Sequence, residues 1–199
     1  MPARNLKTSL LTHQGRLEAA CALGVETLGL LGVALPDPGD QAALGQAIGA
    51  AFGAYQQALG DREVASLRDL PPMTDPAQLA LVNTLAVMIA AAFQANPNLM
   101  ALAVLTAVRL PLLHGTAPVS PFIYALYGVT HHLATGDYER AYRFGQLALD
   151  LAARPEHVAA RGGTKFVFAA LVSPWARPPW EGYPHFEQQW SRPSMSAIR

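Results

Sequence analysis

The sequence predicts an all-α protein, and three observations carry that prediction. Leucines and alanines recur at three- and four-residue spacing almost throughout the 199 residues, the period of helices with one apolar face. Sustained period-two alternation is missing, apart from a short Lys165-Phe166-Val167-Phe168 stretch that fits either state. Glycines, prolines and capping residues punctuate the chain at helix-length intervals.

Taken in order, Gly15 precedes an apolar stripe of Leu17, Ala20, Leu23, Leu28 and Leu31 on a helix ending near Gly32, before the breaker run Pro36-Asp37-Pro38-Gly39-Asp40. A second helix spans about Gln41 to Leu59. It carries Gly45, Gly49 and Gly53 four apart and so on one face. Each glycine costs about 1 kcal/mol relative to alanine inside a helix, so the row implies a neighbour packed tightly on the bare backbone. In lipid the same spacing marks a dimerisation face, but Tyr55, Gln56 and Gln57 favour a soluble interface.

Leu70-Pro71-Pro72-Met73 reads as a linker, and Thr74-Asp75-Pro76 as a cap followed by proline in the first turn. A helix follows to about Ala95. Asn98 is the expected cap of the next, which runs to His114 with Gly115 as its stop. Ser120-Pro121 or Pro118 opens another that ends at Gly136, and Asp137 begins one reaching Ala153. The texture then changes: Gly162-Gly163, Pro174, Pro178, Pro179 and Pro184 permit only short helices, from Thr164 to Ser173 and from Pro179 to Trp190. The expected organisation is a helical-repeat domain over 1–153 and a Pro/Trp-rich segment over 154–199 that packs on it or extends it.

Composition narrows the function. Hydrophobic residues make up 51% and charged residues 14%, against roughly 25% charged in ordinary soluble domains, so partner-covered surface is expected. Lys+Arg and Asp+Glu are both 14, with no basic stripe to neutralise phosphates, which speaks against nucleic acid. The single Cys21 and the absence of a continuous apolar core after Met-Pro-Ala-Arg-Asn point to the cytoplasm. The uncharged stretch from Ala77 to Val108 is broken by Asn96-Pro97-Asn98 and diluted by Asn83, Thr84 and Gln94, so it reads as a buried hairpin rather than a membrane span.

The segment from Tyr127 to Ala153 has the form of a degenerate tetratricopeptide unit: a helix, the turn Gly136-Asp137-Tyr138-Glu139, and a second helix whose Ala141 and Ala148 let the pair touch. Gly15-Arg16-Leu17-Glu18-Ala19-Ala20 repeats the turn pattern, placing the chain's start in the first helix of such a unit. The fold expected is therefore a short α-solenoid of antiparallel helix pairs. Several runs also resemble the central tetratricopeptide-like region of large bacterial multi-sensor signalling kinases: Leu70-Pro71-Pro72-Met73-Thr74-Asp75-Pro76, Asn96-Pro97-Asn98-Leu99, Tyr124-Ala125-Leu126-Tyr127-Gly128, Tyr142-Arg143-Phe144-Gly145 and Trp175. In that family the region lies between Ser/Thr-kinase-like and ATPase domains on one side and sensor and histidine-kinase domains on the other. The resemblance implies a regulatory, non-enzymatic role and carries over no catalytic residue.

Chemical signatures are lacking. Arg161-Gly162-Gly163-Thr164-Lys165 has phosphate-loop residue types in the wrong order, and the kinase His-Arg-Asp and Asp-Phe-Gly signatures are absent. His131 and His132 point about 100° apart on a helix and do not chelate one ion, so no metal or cofactor is expected. Cys21 sits on an apolar stripe and reads as inert. Partner contact is expected at Tyr138, Tyr142, Arg143, Trp175 and Trp180, which supply aromatic anchors and a multidentate donor. The function expected is a protein–protein scaffold whose partner is a signalling kinase or ATPase module, or a second copy in a homodimer. The alternatives are a small-molecule sensor with an apolar pocket walled by the helices of residues 76–114, or a fragment of a larger kinase.

Overall fold

In a computed structural model the described residues are 1–178. They are helical, with no strand among them. α1 (Pro2–His13) begins with proline at a position where no backbone N–H is needed and ends at Gly15, whose φ of 73° makes the turn. α2 (Leu17–Leu30) follows. Arg4 fastens the pair, its Nε donating to Thr27 Oγ1 at 2.9 Å and its Nη2 lying 2.7 Å from Glu26. After the proline break, α3 (Gln41–Leu59) is capped by Asp40, whose carboxylate accepts the Ala43 N–H.

α4 (Pro76–Ala95) and α5 (Pro97–His114) form the central hairpin. Asp75 caps the first by accepting the Ala77 N–H. The cap of α5 is Asn96, which accepts the Leu99 N–H at 3.0 Å, and not the expected Asn98. Pro97 takes the first helical position, so the cap must precede it. Asn98 instead donates to the side chain of Gln41. Both helices are long and apolar enough to cross a membrane, and here they supply much of the buried core, including Leu85, Met88, Ala92, Leu99 and Val104.

α6 (Ser120–Thr135) ends on Gly136, left-handed at φ 72°, and α7 (Tyr138–Ala152) is capped by Asp137. Their backbones approach closely because Gly128 has no β-carbon; one would stand 2.9 Å from the Ala141 carbonyl oxygen. Ala141 and Ala148 are buried. Beyond α7 come a 3₁₀ turn at Pro155–Ala160, α8 (Arg161–Val167), a π-helical turn at Phe168–Val172 and α9 (Ser173–Ala176), all lying against α6 or α7. The ambiguous Lys165–Phe168 stretch is thus helical. The stretch expected as a helix over Pro179 to Trp190 lies outside the described residues.

α1, α2, α4, α5, α6 and α7 pack in succession, while α3 leaves this order and lies along α5. Its direction is fixed at both ends. Asn96 Nδ2 donates to the Pro38 carbonyl just before α3, and Arg62 just after α3 donates to the Leu112 carbonyl near the end of α5, so the two helices run the same way. Leu44, Tyr55 and Leu59 bury one side of α3. Gly45, Gly49 and Gly53 are exposed, and a β-carbon on any of them would meet nothing within 4 Å. The expectation of tight packing on this row is therefore corrected: α5 takes the bulky side of α3, where apolar area is gained, and the bare side faces outward.

The Pro71–Met73 linker is strapped to the loop after α5. Thr116 N–H donates to the Pro71 carbonyl at 2.7 Å and Met73 N–H to the Thr116 carbonyl at 2.9 Å. Gly115 permits the strap with φ 92°, where a β-carbon would collide with the Pro71 carbonyl.

Candidate functional site

Two features of the described residues have the make-up of a binding site. The first is an aromatic patch where α7 meets α9. Tyr138 and Trp175 stack with ring centroids 6.1 Å apart and planes 10° from parallel, and His132 lies 5.6 Å and 5.7 Å from the two rings. Both stacked rings stay largely uncovered, Trp175 at 60% and Tyr138 at 41% exposure. One turn along α7, Tyr142 is half-buried against Phe168, and the Arg177 guanidinium sits 4.6 Å above its ring. Arg177 also bonds Glu139, locking the cation in place.

Of the residues singled out in the sequence, Tyr138, Tyr142 and Trp175 thus share one surface. Arg143 is one position round the helix from Tyr142 and faces a different recess, with Glu63 and Val64. Trp180 lies outside the described residues.

The second feature is a groove of about 510 Å³ over the first half of α5, with α3 and the end of α6 as its banks. Ile48, Phe52, Met100, Ala101 and Leu105 give it an apolar lining, and Gly49 leaves one bank low. Of the helices of residues 76–114 that the sequence suggested as the walls of a pocket, this groove is lined by α5, through Pro97, Asn98, Met100, Ala101 and Leu105, and not by α4.

At the inner wall of this groove stand Tyr127 and His131, the outermost members of a buried polar cluster. Tyr55 of α3 packs on Tyr127 with ring centroids 4.6 Å apart, Phe144 meets Tyr127 edge-on at 4.7 Å, and Tyr124 lies a further turn back on α6. Tyr127 Oη lies 3.4 Å from His131 Nδ1. A phenol hydroxyl donating there makes Nδ1 the acceptor and leaves the imidazole proton on Nε2.

Burial pushes the hydroxyls of Tyr55, Tyr124 and Tyr127 well above the ordinary phenol range, so all three keep their protons. The His131 imidazole is pushed below its ordinary value, first by burial and then by the Arg140 guanidinium. Four atoms of this cluster are buried without a hydrogen-bond partner: Tyr55 Oη, Tyr124 Oη, His131 Nε2 and Arg140 Nε. Such atoms cost about 1–3 kcal/mol each when left unmet.

The sequence pattern contained part of this cluster, since Tyr124, Tyr127 and His131 recur at three and four residues on one helix face. Tyr55 and Arg140 join it only through the packing of α3 and α7, which no local pattern records. His132, adjacent to His131, turns to a different environment and lies 3.2 Å from the Gly128 carbonyl through Nδ1. The Cys21 thiol is buried and pushed above its ordinary range by that burial, then by Glu18. No known protein family, curated protein or solved structure matches this chain.

Proposed function

We propose that the protein is a non-catalytic interaction module, a short α-solenoid that docks another protein through the aromatic patch of Tyr138 and Trp175. The observation that carries this reading is the exposed stack itself. Large aromatic rings are left in water with His132 tilted against both, an arrangement from which a partner gains by covering them. The succession α1, α2, α4, α5, α6, α7 supports a tetratricopeptide-like array of hairpins with α3 laid on as an extra layer. By the resemblance to bacterial multi-sensor kinases, the partner is a kinase or ATPase module of a cytoplasmic signalling system, or a second copy of this chain.

Light scattering coupled to size-exclusion chromatography tests the patch on the full chain, alone and mixed with candidate kinase modules. A complex or dimer that Trp175→Ala weakens at least tenfold, with the helical circular dichroism unchanged, agrees with the reading. A complex indifferent to both Trp175→Ala and Tyr138→Ala would sink it.

A second reading, a small-molecule sensor, is favoured by the groove. Its volume and apolar lining with a few polar groups at one wall are those of ligand pockets.

A further inference from the structure

We infer that the groove between α3, α5 and α6 takes a small, uncharged, predominantly apolar molecule and turns away ions of either sign. This rests on the second reading, that the groove is a ligand site, and adds the size and charge of what enters it.

Shape argues for a small molecule over a passing segment of chain. α5 is the floor, and α3 and α6 are the banks. The banks meet where Tyr55 packs on Tyr127 with ring centroids 4.6 Å apart, about one turn of α3 beyond Phe52. Toward the start of both helices, Asn98 Nδ2 donates to Gln41 Oε1 at 2.8 Å and ties the first turn of α5 to that of α3. The volume of about 510 Å³ is that of a cleft for one small ligand. A groove whose banks meet holds a short molecule, not a segment that must continue at both ends.

Charge argues for a neutral one. Among the described residues that line the groove, none is Asp, Glu, Lys or Arg. Its titratable groups are Tyr127, whose hydroxyl burial keeps protonated, and His131, whose imidazole is pushed below its ordinary value by burial and then by Arg140. At neutral pH the lining therefore carries no formal charge. Arg140 and Asp137, the charged side chains that act on His131, line a separate recess. An ion entering the groove sheds water and meets no counter-charge to offset that loss. An apolar chain meets no such penalty, and it covers the area that half-buried Ile48 and Phe52 still expose.

A ¹⁵N NMR titration of the full chain at pH 7.5 with octan-1-ol, octanoate and octylammonium tests the inference, because the three probes share one tail and differ in head-group charge. Octan-1-ol should bind at least tenfold tighter than either ion and move the amides of Gly49, Ala101 and Leu105. Gly49→Leu should then weaken octan-1-ol at least tenfold without lowering the urea midpoint, since a β-carbon at Gly49 meets nothing within 4 Å and the new side chain occupies open space.

An ion that binds as tightly as the alcohol and moves the same amides would overturn the charge inference while leaving the groove a ligand site. No movement of those amides by any probe at millimolar concentration would remove the ligand reading and the inference together. If light scattering shows a dimer that Gly49→Leu breaks, a second copy of the chain fills the groove, and the small-molecule inference falls. Should Gly49→Leu unfold the protein, the amide map and the affinity order on the unaltered chain decide the matter.

Discussion

Phe168 lays its ring edge on the bare backbone of Gly145, with Cδ2 only 2.5 Å from where a β-carbon would stand. That contact seats the π-helical turn against α7, and it leaves no space for even one methyl group. Phe168 is itself 2% exposed and pressed against Tyr142, so it has little freedom to retreat. Gly145→Ala should therefore destabilise the fold by about 1–3 kcal/mol, read as a lower urea midpoint at unchanged slope.

The same substitution should have the opposite sign on α3. Gly45 and Gly53 face open space, so an added methyl group touches nothing and the helix gains the propensity difference. Each change to alanine should stabilise by about 0.5–1 kcal/mol. A loss of stability at either position would mean that the glycine row is covered in solution.

Gly115→Ala should be costly for a different reason. The backbone there is left-handed, at φ 92°, and the Pro71 carbonyl occupies the β-carbon's place. A loss of roughly 2 kcal/mol or more is expected, together with faster amide exchange at Met73 and Thr116, the two donors of the strap. Slow exchange at both positions in the variant would show that the strap does not depend on that glycine.

Acid should weaken the protein through its buried imidazoles. His131 is lowered by burial and by Arg140, with Asp137 opposing, and His132 is lowered by burial, with the Gly128 carbonyl opposing. A histidine whose folded pKa lies below its unfolded value of 6.5 binds fewer protons folded than unfolded as the pH passes through that range. Stability is then full above about 6.5 and falls as the pH drops toward the folded pKa. Urea midpoints at pH 7.5, 6.5 and 5.5 should decline in that order, and a His131→Gln, His132→Gln chain should show a flatter decline over the same span.

Cys21 should resist thiol reagents. The thiol is 2% exposed and its pKa is raised, which keeps it in the protonated, unreactive form at neutral pH. Labelling by a disulfide reagent should be slow in buffer and complete in denaturant; rapid labelling of the folded chain would contradict the burial.

The sequence made the helices legible because their ends are written locally. Asp40, Asp75, Asn96 and Asp137 each accept a backbone N–H two or three residues on, and Gly136 stops α6 by a conformation that favours glycine. The one misplaced cap, Asn98 for Asn96, arose where two asparagines flank a proline and only the geometry of the first turn separates them. Where α3 goes was not legible. Its glycine row is equally consistent with a covered or an open face, and the bonds that settle its place join Asn96 to Pro38 and Arg62 to Leu112, pairs about fifty residues apart. The aromatic patch was foreseen as a set of residue types; that Arg143 turns away from it follows from one step of helical rotation. The donor cluster was half visible on α6 and otherwise depends on the arrival of Tyr55 and Arg140 from other helices.

Because α3 rests on α5 and not on the helices next to it in the chain, birth order on the ribosome matters for this protein. α3 leaves the exit tunnel uncharged, with Leu44, Tyr55 and Leu59 unsheltered, and its companion is not synthesised until residues 97–114 have followed. Nascent α3 therefore stays unsheltered until α5 is made, a stretch on which a holdase chaperone would settle during translation.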